Sequence, residues 1–251
     1  LGDVYKRQHL RLITKIRFFA SFGAGGVIYL TSLIFNNIGL SATEIGLGFT
    51  ISAIIGTLTR LFTGNYLNKT GKIHNPLVIS SLISIFAGFF LIISIDTYTY
   101  LLGQAFIGAA AGIYWPTAEF VVPYFCQTID TRKAYTLVRT AEALGIFLGV
   151  FIGGFMNNFI YLKSIFINDI FCMLTIIFLI LRNRKSINKT LETSQKKALD
   201  HIKTYQESWN KNTLLIVSSV ILITTSLALI QVTLPLDLVK GGVYREALNE
   251  K

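Results

Sequence analysis

Several ionisable side chains fall inside long apolar stretches of this 251-residue chain, and four of them, Arg60, Glu119, Arg139 and Glu142, lie at comparable depths. Ionisable groups in such surroundings usually pair with one another or face a polar cavity. If Glu119 and Arg139 lie on neighbouring antiparallel helices, they sit at similar depths, and Glu142 shares the helical side of Arg139. We expect the four to form a charge layer. Such a layer either fixes helix register through buried ion pairs or uses a carboxylate, with Glu119 favoured, to titrate or to contact a solute.

The elements that would position these charges are transmembrane helices. Hydrophobic residues make up 52% of the chain and charged residues 14%, whereas soluble domains carry about 25% charged residues. The mean hydropathy is +0.57. Because about 20 mainly apolar residues cross a bilayer, spans are predicted at residues 16–36, 44–67, 76–95, 98–125, 134–157, 161–181 and 213–238. The predicted fold class is all-α, a polytopic transmembrane helical bundle.

Basic residues occur in alternate connections between the predicted spans. They are Arg11, Lys15 and Arg17 before the first span, then Lys69 and Lys72, then Arg132 and Lys133, then Arg182, Arg184, Lys185, Lys189, Lys196, Lys197, Lys203 and Lys211. The three opposite loops hold only Lys163. Because basic loops stay in the cytoplasm, the amino terminus is predicted to be cytoplasmic. Topology thus explains the net charge of +10, and the expected partner is the lipid bilayer, with no nucleic acid.

The spacing of the spans divides the chain into a bundle, a linker and the start of a second bundle. Residues 9–181 hold six spans, residues 182–212 form a basic cytoplasmic linker, and residues 213–251 hold a seventh span and a truncated second bundle. The linker pattern fits either an amphipathic surface helix or a solvated tether. Six-helix halves made of two inverted three-helix repeats have this layout. Residues 1–8 resemble a translated sequencing adapter and are left out of the fold.

The segment after the second span reads Gly64-Asn65-Tyr66-Leu67-Asn68-Lys69-Thr70-Gly71-Lys72. It resembles the loop signature Gly-x-x-x-Asp-Arg/Lys-x-Gly-Arg/Lys of the major facilitator superfamily, which lies at the same connection. The resemblance implies a gating loop carried by Gly64, Asn68, Lys69, Gly71 and Lys72. Asn68 replaces an acid that latches the inward-facing gate in the family, so a weaker, neutral hydrogen bond is expected there.

Two further segments carry the resemblance. The fifth span contains Gly145-Ile146-Phe147-Leu148-Gly149-Val150-Phe151-Ile152-Gly153-Gly154. This is similar to the family's Gly-x-x-x-Gly-Pro-x-x-Gly-Gly, with Val150 in the proline position. Glycines four apart let membrane helices approach closely, so Gly145, Gly149, Gly153 and Gly154 are expected at a helix contact. The fourth span looks like the family's Arg-x-x-x-Gly-rich segment, with Gln104 in place of an arginine associated with proton coupling.

The fourth span also supplies most of the expected substrate cavity. Gln104, Gly108, Ala111, Trp115 and Glu119 share one helical side, and the resemblance implies a cavity lined by the first and fourth spans. The aromatic pair of Tyr114 and Trp115 serves either the cavity or plain packing in the membrane. The full set of expected cavity residues is Gln104, Tyr114, Trp115, Glu119, Arg139 and Glu142.

Two carboxylates are candidates for ion coupling, Glu119 and Asp169. Asp169 lies near the middle of the sixth span, where it either carries a coupling proton or makes a polar contact between helices together with Asn168.

An enzyme is not expected. His9, His74 and His201 all fall outside the predicted spans, so they do not form a catalytic cluster at membrane depth. Cys126 and Cys172 have neither the spacing of a metal site nor the number of a disulfide framework. We therefore expect no metal and no cofactor.

The resemblance implies a permease that moves a small solute by alternating access, with a proton or another cation as a possible coupling partner. An efflux antiporter that exchanges a drug or metabolite for protons is the alternative within the same superfamily. A heptahelical receptor or scaffold that transports nothing is the alternative from another class. The expected location is a bacterial plasma membrane.

Overall fold

The computed structural model describes residues 2–125, 130–159 and 163–202, together with six helical positions between residues 215 and 226. Its helices are α1 (Gly2–Ile38), α2 (Ala42–Thr70), α3 (His74–Ile93), α4 (Thr97–Phe120), α5 (Val122–Phe125), α6 (Thr131–Phe159) and α7 (Ser164–Ile202). The short α5 prolongs α4 after a turn at Val121. The part of the chain that the structure describes contains no strand, which confirms the all-α fold class.

Six described segments are long and apolar enough to cross a membrane. They are His9–Ile38, Ala42–Thr70, His74–Ile93, Thr97–Phe125, Thr131–Met156 and Ser164–Arg184. Each coincides with one of the first six predicted spans. The seventh predicted span, residues 213–238, falls outside the described residues except for those six isolated positions.

The first span begins earlier than its predicted start at residue 16. Helix α1 already runs through this region, and its apolar window opens at His9. The reason lies in Leu10, Ile13 and Ile16, which are at most 3% exposed and recur at helical spacing. The basic residues that suggested a loop are therefore interleaved with core positions of a helix.

The last crossing helix extends into the predicted linker. Helix α7 continues without a break to Ile202, so residues 182–202 have a helical backbone. Residues 203–212, and the side chains on which the amphipathic interpretation depends, lie outside the described set.

Specific side chains set where the crossing helices begin and end. Ser41 and Glu44 form a reciprocal capping box at the start of α2, which satisfies backbone donors that have no partner within the helix. Asp96 caps α4 by accepting a hydrogen bond from the Thr99 amide at 3.2 Å, and a further hydrogen bond from the Thr99 hydroxyl lowers the pKa of its carboxyl. Gly71 ends α2 at φ 62°, a left-handed conformation that favours glycine.

Lys163, the isolated basic residue of the opposite loops, caps the carboxyl end of α3. Its ammonium donates to the Ile92 carbonyl at 2.8 Å and to the Ser94 carbonyl, and the residue is only 4% exposed. Burial lowers the pKa of Lys163. Cations stabilise the carboxyl ends of helices, so this residue ties the start of α7 to the end of α3.

The pattern of contacts between helices follows an inverted repeat of three helices. Helix α1 packs against α6 and α7, while α4 packs against α2 and α3. If α1–α3 is one repeat and α4, α6 and α7 are the other, the α1–α6 contact corresponds to α4–α2, and α1–α7 corresponds to α4–α3. The remaining large contact, α3–α7, joins the two equivalent third helices. This pairing is what two inverted three-helix repeats require.

Glycine residues let the helix backbones approach closely at two contacts, α1–α6 and α2–α4. A Cβ at Gly145 would lie 2.6 Å from the Phe18 carbonyl oxygen, and one at Gly149 would collide with the Phe22 carbonyl. The corresponding α2–α4 contact uses Gly108 against Ser52 and Gly112 against Gly56 in the same way. Both contacts thus bring backbones together without intervening side chains.

The glycine run of α6 contributes unequally to packing. Gly153 has the Leu30 and Ile165 side chains at 3.0 and 3.1 Å from the position of a Cβ, whereas Gly154 has nothing within 4 Å. Gly145, Gly149 and Gly153 thus have a neighbour in the direction of a side chain, and Gly154 does not. Gly145, Gly149 and Gly153 are spaced by four residues and share one side of α6, whereas Gly154 follows Gly153 directly and points about 100° away from it on a helix with 3.6 residues per turn.

Gly149→Val tests the close α1–α6 contact. The new side chain displaces the Phe22 carbonyl and separates the helices, so we expect the free energy of unfolding to fall by about 1–3 kcal/mol. The thermal unfolding midpoint of the detergent-solubilised protein measures this. Gly154→Val is the matched control and should change stability by less than about 0.5 kcal/mol. Equal losses in both variants would contradict the assignment.

Candidate functional site

Four charged side chains meet between α1, α4 and α6. Arg17 contacts Glu119 at 2.5 Å and Glu142 at 2.9 Å, measured from its Nη2 atom. Arg139 contacts the same Glu119 oxygen at 2.9 Å and the same Glu142 oxygen at 2.9 Å. Each guanidinium thus bridges both carboxylates. We call this group, Arg17, Glu119, Arg139 and Glu142, the four-charge cluster.

The cluster is closed on one side and open on the other. Arg17 is 2% exposed and Glu142 17%, whereas Glu119 is 32% and Arg139 57% exposed. The Arg17 guanidinium also lies 4.4 Å from the centre of the Trp115 ring, a cation–π contact that is strongest away from water. Arg17 is therefore held on several sides, while Arg139 reaches the surface of the described bundle.

The predicted charge layer is right in three members and wrong in one. The structure brings Glu119, Arg139 and Glu142 together, with the last two one helical turn apart on α6. Arg60 is exposed on α2 and is not in the cluster. Arg17 takes its place. The depth of Arg60 in the membrane favours its membership of the charge layer. The direction in which a side chain leaves its helix, however, decides which partners it reaches.

The charge pattern assigns Arg17, like Arg11 and Lys15, to the basic residues of the cytoplasmic side. Helical spacing contains the signal that separates them. Arg17 lies four residues after Ile13 and three before Ala20, both in the core, while Arg11 and Lys15 are exposed on the other side of α1. A cation on an apolar helix face needs a carboxylate partner, and Glu119 and Glu142 were available.

A cavity of about 80 Å³ lies next to the cluster, between α1, α3, α4 and α7. Trp115 lines this cavity and also covers Arg17. Most of the lining is apolar, and its polar residues are Ser80, Ser84, Asp169, Tyr114 and Trp115. The cavity separates the two hydrophobic clusters of the core, because Ala20 and Met173 belong to one and Val27 to the other.

The expected cavity residues do not all lie around this cavity. Tyr114 and Trp115 line it, with their rings edge to face at 5.1 Å. The Tyr114 hydroxyl also donates to the Ile16 carbonyl at 3.2 Å, so this residue packs helices as well. Gln104 is 2% exposed and is not part of the lining. The reason is that α4 turns this side partly toward α2, where Gly108 meets Ser52.

Asp169 is the acidic residue of the cavity lining. It is 2% exposed and accepts a hydrogen bond from the Ser84 hydroxyl at 3.0 Å. Its other carboxylate oxygen lies so close to Gly23 of α1 that a Cβ there would collide with it. The carboxylate therefore lies where α1, α3 and α7 meet, in a position that serves either coupling or helix contact.

The loop-signature residues belong mostly to a helix. Gly64 to Thr70 form the last turns of α2, and only Gly71, Lys72 and Ile73 separate it from α3. Asn68, Lys69 and Lys72 are exposed. Gly64 has no heavy atom within 4 Å of a Cβ position. We use the term basic end for the end of the bundle that carries this turn and the start of α6 with Arg132 and Lys133.

Among the described residues, no group of three or more His, Cys, Asp or Glu side chains is placed to hold a metal ion.

Comparison with known proteins agrees with this architecture. The family model of the Major Facilitator Superfamily matches residues 16–245. This range includes the first described span from residue 16 onward, the other five spans in full, the four-charge cluster and the cavity. No curated protein matches the chain. With a match over most of its length, the chain belongs to the Major Facilitator Superfamily and is an integral membrane transporter.

Proposed function

We propose that this transporter moves a small solute by alternating access, and that the four-charge cluster stabilises the state closed at the basic end. In this mechanism two helical bundles rock about a site near the middle of the membrane. The family assignment sets aside the receptor or scaffold alternative. Substrate movement is secondary active, with a proton or cation as the coupling partner.

The observation that carries the proposal is the unequal burial within the cluster. The Arg17 side chain is 2% exposed, and removing one partner of a buried charge is costly. The Arg139 side chain is itself more than half exposed, and ion pairs of exposed side chains contribute little and exchange partners readily. Arg139 can therefore leave both carboxylates while Arg17 stays paired with them, and Arg17 then balances one of the two negative charges. That asymmetry suits a contact that must open and close in every cycle.

The cytoplasm is the proposed side of the basic end. Lys69, Lys72, Arg132 and Lys133 are all exposed there, and basic residues are retained in the cytoplasm. In this orientation Asn68 and the α2–α3 turn belong to the inner gate, and a bacterial plasma membrane is the proposed location.

Proton-coupled efflux of a drug or metabolite is the second candidate. The apolar and aromatic lining of the cavity favours it, because small-molecule sites of that character take apolar ligands. The replacement at Gln104 argues against it, since the arginine associated with proton coupling is missing. Solute:cation symport is therefore the preferred mode.

Glu119→Gln tests the role of the cluster in transport. The amide carries no negative charge and therefore neutralises neither Arg17 nor Arg139, so the closed state loses stability. We expect the transport rate to fall by roughly tenfold, equivalent to ~1.4 kcal/mol. The pH dependence of transport should change as well. Uptake or efflux in proteoliposomes measures both quantities.

The charge-balanced variant Glu119→Gln/Arg139→Gln separates gating from folding. It removes one charge of each sign and leaves Arg17 paired with Glu142. If the cluster serves only stability, this variant regains normal transport. If it serves the gate, transport stays slow although the protein is folded. Unchanged kinetics of Glu119→Gln from mildly acidic to neutral pH would assign Glu119 to structure.

Asp169→Asn tests coupling at the cavity. The amide oxygen still accepts the Ser84 hydrogen bond, so packing is retained, but the side chain no longer binds a proton or cation. We expect accumulation against a gradient to be lost while exchange of solute across the membrane continues. Ser84→Ala is the control, because it removes the hydrogen bond and keeps the carboxylate. Normal accumulation by Asp169→Asn would leave helix contact as the role of this residue.

A further inference from the structure

A second, larger cavity lies on the outside of the bundle, near the basic end. It has a volume of about 370 Å³ and is lined by Thr59, Phe62, Thr63, Tyr66, Asn75, Pro76, Ile79 and Ile113. These residues come from the last turns of α2, the first turns of α3 and the middle of α4. Its volume falls within the range of small-molecule sites. We call it the α2–α3 groove.

The groove opens on a side of α2 that is suited to lipid. Phe62 is 74% exposed and Ile79 49% exposed, and both belong to segments that cross the membrane. Thr50 and Thr57, which are also exposed on α2, lie about a third of a turn away from Phe62. The groove side is therefore the apolar exposed side of this helix, while the small and polar side faces elsewhere.

The mouth of the groove is basic. Lys69 follows Tyr66 by one helical turn, and Lys72 precedes Asn75 in the α2–α3 turn; both lysines are exposed. The first turn of α3 holds Asn75 and Pro76 of the lining and begins two residues after Lys72, so the positive end of its helix dipole lies near this lysine. No carboxylate lines the groove. An apolar groove that ends in cations is complementary to an amphipathic molecule with an anionic headgroup, and such molecules are abundant in a membrane.

We propose that the α2–α3 groove binds an anionic phospholipid, with one acyl chain along Phe62 and Ile79 and the phosphate at Lys69 and Lys72. Basic sites between transmembrane helices on the cytoplasmic side select anionic headgroups in this manner. The site is separate from the central cavity and does not depend on the identity of the transported solute. Because α2 and α4 both line it, bound lipid also supports the glycine contact between these two helices.

Native mass spectrometry of the purified full-length transporter tests the proposal. Phosphatidylglycerol and phosphatidylcholine are titrated in parallel, and we expect one phosphatidylglycerol to be retained preferentially. Lys69→Gln/Lys72→Gln should weaken its retention by about tenfold, because each lysine at a membrane surface contributes a severalfold factor. Arg132→Gln/Lys133→Gln removes two charges from the other turn at the same end, and it should have little effect. Ile79→Trp fills the apolar part and should weaken binding of both lipids.

Three results would overturn the proposal. Equal retention of the two lipids would show that the groove does not select an anionic headgroup. Equal losses in the two double variants would show a nonspecific effect of charge rather than a role of Lys69 and Lys72. The third is disulfide crosslinking between two copies through a cysteine at Ile79, in a background without the two native cysteines. That result, with lipid excluded, would make the groove a protein interface.

Discussion

Burial of the Arg17 guanidinium inside α1 is the constraint on which the basic end of the bundle depends. A cation at this depth is stable only when carboxylates neutralise it, and they come from two other helices, as Glu119 on α4 and Glu142 on α6. The requirement therefore fixes three helices relative to one another. Two carboxylates around one cation leave a negative excess, which Arg139 removes from the open side.

Lipid gives helices little hydrophobic reason to associate, so close backbone packing and polar contacts must hold them. The α1–α6 contact uses both means: Gly145 and Gly149 set its distance, and the Arg17–Glu142 pair sets its register. The equivalent α2–α4 contact uses glycines, and Arg60 of α2 is not in the cluster. The two equivalent contacts share a packing scheme, but ion pairs have been added to the α1–α6 contact. Asymmetry of this kind places the polar site at one end of the bundle.

Helix α4 connects the sites of the molecule. Trp115 touches the cavity on one side and Arg17 on the other, while Ile113 of the same helix reaches the α2–α3 groove. A small rotation of α4 would therefore change the cavity wall, the cover over Arg17 and the floor of the groove together. Rigid helices transmit displacement in this way because their interior contacts are close-packed.

Sequence alone determined the positions of the six described spans, because the thickness of a bilayer requires a local run of apolar residues that can be read without knowing any partner. It also determined that Glu119, Arg139 and Glu142 lie at similar depths in the membrane, because depth follows from the position of a residue along its helix. The tertiary structure decided the direction in which each side chain points toward its neighbours. That direction placed Arg17 in the cluster and Arg60 outside it, brought Tyr114 to the cavity and kept Gln104 away, and left Gly154 with no neighbour at the position of a Cβ. These outcomes depend on how helices distant in the chain pack against one another, and helical periodicity defines the faces of a helix without saying which neighbour each face will meet.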